Sequence, residues 1–208
     1  AGDGLEVEIL VMPLGPEGPS CLPGKGGSTL IAGAGSKRIE VRRDLAQELV
    51  LAEEIVTGCE VLLESPGVDW SWELETAEEC LELLFQLRGL ENPAVIEWPD
   101  GQTFAVVREV SFDDLSLRIT RKRDWFSVSG DVNINEGLAV SLSELIRLSG
   151  RRVGRFVQIA EGQFVALTET FRRRLDNLEA IGDLRKRDVR LHPLAAAAVE
   201  EMAEEAGA

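Results

Sequence analysis

Gly24-Lys25-Gly26-Gly27-Ser28 is the stretch whose residue types come nearest to chemistry. A phosphate-binding loop cradles phosphate with the backbone N–H groups of a glycine-rich turn, reaches it with a lysine, and ligates magnesium with a hydroxyl directly after that lysine. Here five residues, not four, separate Gly18 from Gly24, and Gly26 stands where the hydroxyl belongs. Pro19 and Pro23 also lack the N–H groups that a phosphate would need. The stretch therefore reads as a flexible surface loop.

Other reactive residue types are present without a catalytic context. Glu53-Glu54, Glu78-Glu79 and Asp113-Asp114 are carboxylate pairs that acid–base chemistry uses. They fall on helix faces or turns of an acidic region, where solvated charge is the commoner reason for them. His192, the single histidine, precedes Pro193 as a helix-start residue and has no nucleophile in a recognisable setting. Cys21, Cys59 and Cys80 form an odd set without CxxC spacing, which excludes a standard zinc site and fits free thiols in a reducing compartment.

The cations are better placed. Arg121, Lys122 and Arg123 run directly into Trp125 and Phe126, with Arg118 before them and Arg151, Arg152 and Arg155 following. Such a group can contact phosphates while an aromatic stacks on a base. It can equally be a solvated strand edge that discourages pairing, with one of the two aromatics in the core. These seven residues are the candidate nucleic-acid contacts, and no catalytic or metal residue is assigned.

The elements that position them follow from periodicity. Leu115, Leu117 and Ile119 alternate as a strand into the basic triplet, and 125–134 alternates again through Phe126, Val128, Gly130, Val132 and Ile134. Asn135-Glu136-Gly137 is a turn. Ser141 and Glu144 form a capping box for a short helix through Leu148, ended at Gly150. A hairpin runs over 155–159 and 163–166, Thr168 caps a helix to about Leu178 that exposes Arg172, Arg173 and Arg174, and His192-Pro193 introduces a closing Ala-rich helix.

In the first half, 5–12 alternates as a strand, and 13–28 is a long Pro/Gly loop. Residues 29–32 and 37–43 make a hairpin, a helix starts near Asp44 and stops at Gly58, and 68–74 is an extended connector. A capping box at Thr76 and Glu79 opens a helix ended by Gly89. Residues 94–97 are strand-like, Pro99-Asp100-Gly101 is a turn, and 103–110 is a strand. The fold class is α+β: small antiparallel sheets and hairpins packed with short helices, in two subdomains, 1–110 and 111–208.

Charge divides the same way. The net charge is -15, yet residues 1–110 hold 7 Lys/Arg against 21 Asp/Glu while 111–190 hold 15 against 12. That split suggests protein partners for the acidic half and nucleic acid for the other. No apolar run approaches a membrane span and no leader pattern opens the chain, so no membrane partner and a cytoplasmic location are expected.

Arg123-Asp124-Trp125-Phe126, Leu142-Ser143-Glu144-Leu145-Ile146, Gly154-Arg155-Phe156-Val157-Gln158-Ile159, Glu161-Gly162-Gln163-Phe164 and Leu167 occur in this order. Met12-Pro13-Leu14-Gly15-Pro16, Pro23-Gly24 and Val41-Arg42-Arg43-Asp44-Leu45 precede them. Together they resemble the helicase-associated region upstream of the motor in bacterial Swi/Snf-family DNA-dependent ATPases. The resemblance spans most of the chain and implies a non-catalytic accessory region that assists DNA engagement or docking. Motor domains of the same polypeptide would be its first partner, with duplex DNA and other proteins as further ones. ATP and magnesium would bind those motor domains, so no cofactor is expected here. The alternative is a protein-interaction module that does not touch nucleic acid.

Overall fold

The computed structural model describes residues 4–16, 18–34, 37–92, 94–98, 103–195, 197 and 200–201, with side chains left aside over 32–38. The chain divides into two units, Ala1–Glu97 and Trp98–Ala208. The boundary thus precedes the expected one near 111, because the strand over 105–110 pairs with a strand that follows, over 163–167.

In the first unit, β1 (Leu5–Glu8) pairs antiparallel with β5 (Ser71–Leu74), which also pairs with the two-residue β4 (Gly67–Val68). The segment expected as a connector is therefore the central strand. Trp72 and Leu74 point into the core on either side of exposed Glu73, and the Trp72 indole donates to the Leu62 carbonyl at 3.1 Å. The β4–β5 turn is Asp69-Trp70, with φ of 53° and 68°. Positive φ at both positions matches the right-handed twist of the flanking strands.

β2 (Thr29–Ala34) and β3 (Lys37–Arg42) form the expected hairpin, of which Gly35 and Ser36 lie outside the described residues. Asp44 accepts from the Gln47 N–H at 3.0 Å and starts α1 (Leu45–Gly58). The chain restarts at once as α2 (Glu60–Glu64), an element that the sequence does not announce. Thr76 and Glu79 close a complete capping box on α3 (Ala77–Arg88), with Gly89 at its end. Cys59, Leu62, Trp72, Leu74, Cys80 and Leu83 make the core.

The 13–28 loop is held rather than loose. Val11 and Cys21 exchange backbone hydrogen bonds at 2.8 and 2.9 Å. Arg43, itself buried, donates to the carbonyls of Leu22 (3.2 Å), Lys25 (2.9 Å) and Gly27 (3.4 Å). Its guanidinium also grips the buried Glu48 carboxylate.

In the second unit, β6 (Ala105–Val110) pairs in parallel with β11 (Gln163–Leu167), which pairs antiparallel with β10 (Phe156–Ala160). The strand-like 94–97 is irregular, and the turn expected at 99–101 lies outside the described residues. A second sheet is built on β8 (Phe126–Asn135). On one side β8 pairs with β7 (Leu115–Arg121). On the other it pairs with β9 (Leu138–Ser141) and β13 (Val189–Leu191), and β13 in turn carries β12 (Gly182–Leu184).

β12 and β13 lie between the Thr168-capped helix and His192, where periodicity assigns no element. Pro193–Ala195 is a 3₁₀ turn, after which residues 197, 200 and 201 are helical and the rest of the Ala-rich segment lies outside the described residues. α4 (Leu142–Ser149) and α5 (Glu169–Ile181) cover one face of this sheet. Only the first half of the α4 capping box forms: Ser141 accepts from Glu144 N–H, while Glu144 pairs with Arg147. Leu142, Leu145 and Ile146, with Phe171, Leu175 and Leu178, share a core with Val128, Val132 and Ile134. Such period-3.6 and period-2 stripes meeting face to face are what lets short helices bury a sheet.

Candidate nucleic-acid interface

The candidate cations of the second unit are sorted by strand alternation. On β7 and β8, Leu115, Leu117, Ile119, Phe126, Val128 and Val132 face the core. The other face therefore carries Ser116, Arg118 and Thr120 opposite Asp131, Ser129 and Ser127. At the hairpin end the Lys122 N–H donates to the Trp125 carbonyl at 2.8 Å, which extends the pairing by one step. Alternation then places Lys122 and Trp125 on the outward face.

β13 adds a residue that the sequence reading missed. Arg190 stands opposite Ser127, and its guanidinium carbon lies 5.0 Å from the centroid of the Trp125 ring. The signal is Val189-Arg190-Leu191, two apolar residues around a cation at strand period, but three residues are too few to announce a strand by themselves. Neighbouring Ser127 donates its hydroxyl to Asp188 at 2.5 Å, which ties β8 to the β12–β13 turn.

Arg121 goes to the other face. Its guanidinium carbon lies 5.9 Å from the Phe126 centroid, and Phe126 packs against the core. Arg123 is exposed in the β7–β8 turn beside Asp124. Among the described residues Arg118, Lys122, Arg123 and Arg190 have no carboxylate partner.

The later arginines are not part of this surface. Arg151 is exposed on the turn after α4. Arg152 makes a two-pronged pair with Asp176 at 2.6 and 3.0 Å, joining that turn to α5. Arg155 pairs with Glu109 at 2.5 Å, with its guanidinium carbon 5.3 Å from the Phe156 ring, joining β10 to β6. Both arginines have structural work to do.

The glycine-rich loop of the first unit holds an anion already, and it is the chain's own. Gly24 N–H donates to Glu48 at 3.2 Å, and Lys25 pairs with Asp69 at 2.5 Å. No family model, curated protein or solved structure matches this chain. Among the described residues no group of His, Cys, Asp or Glu is arranged to hold a metal ion, and no helix is long and apolar enough to cross a membrane.

Proposed function

We propose that the chain is a non-catalytic accessory region of a bacterial Swi/Snf-type DNA-dependent ATPase, and that its second unit contributes to nucleic-acid engagement. One observation carries this reading: Arg118, Lys122 and Arg190 share an exposed sheet face with Trp125 and have no carboxylate partner among the described residues. A cation already satisfied by a carboxylate gives little to a phosphate, whereas these can replace the counterions of a backbone. The resemblance in the Asp124-Trp125-Phe126 strand supplies the family, and the ATP-hydrolysing motor would belong to the rest of that polypeptide.

The test is binding of the chain to single-stranded and duplex DNA over a salt series. Affinity falling with salt, and lost when Arg118, Lys122 and Arg123 are all replaced by alanine, is the expected result. Absence of salt-dependent binding to either form would remove the nucleic-acid role, and ATP turnover by this chain would overturn the accessory assignment.

A second reading, protein docking without nucleic acid, is favoured by the β2–β3 ribbon. Ile31 and Ile39 are 68% and 57% exposed. They lie on opposite faces of the ribbon, because Ile39 stands opposite Ala32 and not Ile31.

A further inference from the structure

We infer that the outward face of the β7–β8–β13 sheet takes single-stranded rather than duplex nucleic acid, with Trp125 as the base-stacking platform. This rests on the nucleic-acid reading above and names the ligand class of that surface.

Shape argues first. The centre of the face is a shelf of short side chains, Ser116, Thr120, Ser127 and Ser129. α4 and α5 lie on the opposite face, where they bury the core. Among the described residues, therefore, no helix projects from this side to enter a major groove, the usual route to reading a duplex.

The aromatic argues next. Trp125 is half-buried at the hairpin end, and its ring already engages a flat cation, the Arg190 guanidinium at 5.0 Å. A ring presented in this way can stack on a base, and Arg190 can turn to a phosphate. Only an unpaired strand offers base faces, because a duplex keeps its bases stacked on one another.

Charge selects in the same direction. A chain of net charge -15 repels any nucleic acid at long range. Duplex carries a charge about every 1.7 Å of axis, against about 3.4 Å for one strand, so the acidic remainder of the protein penalises duplex more. A local set of four cations, Arg118, Lys122, Arg123 and Arg190, then has less to overcome. Arg118 and Lys122 are spaced about 13 Å apart along β7, and β13 lies two strands over at about 10 Å, which is the footprint of a few nucleotides. Asp131, Asp183 and Asp188 border the face; Asp183 is held by Arg185, and Asp188 accepts from the Ser127 hydroxyl.

The test uses fluorescence anisotropy of the 208-residue chain with labelled oligothymidylate, oligouridylate and a duplex of the same length. Tighter binding of a single strand, a log–log salt slope of about -3, and a loss of about tenfold or more in Trp125→Ala with the slope unchanged are expected. Trp125→Phe, which keeps a ring face, should bind within a few-fold of the parent, and unaltered thermal unfolding of both variants separates stacking from misfolding. The thymidylate and uridylate arms tell DNA from RNA. Duplex bound as tightly as single strand, or Trp125→Ala binding like the parent, would overturn this inference while leaving the nucleic-acid role of the second unit standing. Failure of every probe would overturn both.

Discussion

Arg43 and Glu48 meet side-on, Nε to Oε1 at 2.8 Å and Nη2 to Oε2 at 2.5 Å, with side chains only 2% and 10% exposed. Their remaining hydrogen-bonding capacity goes to the loop: Arg43 to the carbonyls of Leu22, Lys25 and Gly27, and Glu48 from the Gly24 N–H. Burying two charges is costly, and a pair survives it only when the other donors and acceptors are also satisfied. Glu48→Ala should therefore lower the stability of the first unit by about 3–5 kcal/mol in urea unfolding. The double replacement Arg43→Met with Glu48→Leu should also destabilise, because it strands the loop carbonyls and the Gly24 N–H. A double variant as stable as the parent would refute the clamp.

The same pair predicts an acid limit. Hydrogen bonding to Arg43 holds the Glu48 carboxyl below its ordinary value of 4.5, against the opposing effect of burial. The unfolded chain therefore takes up this proton first as pH falls. The stabilisation is complete above about pH 4.5 and is lost as pH drops through the depressed native value. Urea midpoints of the first unit should fall over that acidic window, and Glu48→Gln should flatten the fall. An unchanged slope in Glu48→Gln would contradict the assignment.

What the sequence made legible was local chemistry. Asp44 before α1, Thr76 with Glu79 before α3, and Thr168 before α5 each satisfy backbone N–H groups a few residues away, so their signals lie inside a short window. β5 passes for a connector in the sequence because Asp69 and Trp70 look like a continuation of it, whereas they form a turn with positive φ. β12, β13 and the parallel partnership of β6 depend on strands far away in the chain. No residue in Gly182–Leu184 states that it will be a strand without β13 beside it. The candidate site shows the same limit. Strand periodicity could divide Arg118 from Arg121, but finding Arg190 over Trp125, or Asp176 under Arg152, needed the tertiary pairing.

Gly130 fixes how close β7 comes to β8. A methyl group there would lie 2.5 Å from the Ser116 carbonyl oxygen and 3.2 Å from Leu115 Cδ1. Gly130→Val should push the two strands apart and cost about 1–3 kcal/mol, measured as a lowered unfolding midpoint. A neutral outcome would show that β7 can move without cost.

Thiol chemistry should distinguish the three cysteines. Burial pushes the Cys59 thiol up to about 11 and also raises that of Cys80, whereas Cys21 is half-exposed. Since the thiolate is the reactive form, a maleimide near neutral pH should label Cys21 in the native chain and all three after denaturation. Rapid native labelling of Cys59 would mean that the first core opens readily.

The arginines should separate in the salt series. Arg118→Ala and Lys122→Ala should each reduce the slope for single-stranded ligand by about 0.7. Arg152→Ala should leave the slope alone and lower thermal stability, since its guanidinium is held by Asp176 and ties the turn after α4 to α5. A slope change in Arg152→Ala with stability intact would move the interface to the α4–β10 turn.

The parallel pairing of β6 with β11 has a consequence for the order in which the molecule comes into being. As the chain leaves the ribosome, β6 emerges ahead of β7, β8, β9, α4 and β10, and its partner comes only after all of them. During that interval Ala105–Val110 is an unpaired strand edge, while the β1–β5 sheet has already received every strand it needs. The first unit can be complete before the second has closed, and Arg108 and Glu109, charged residues on the waiting strand, are placed to discourage it from pairing with another nascent chain.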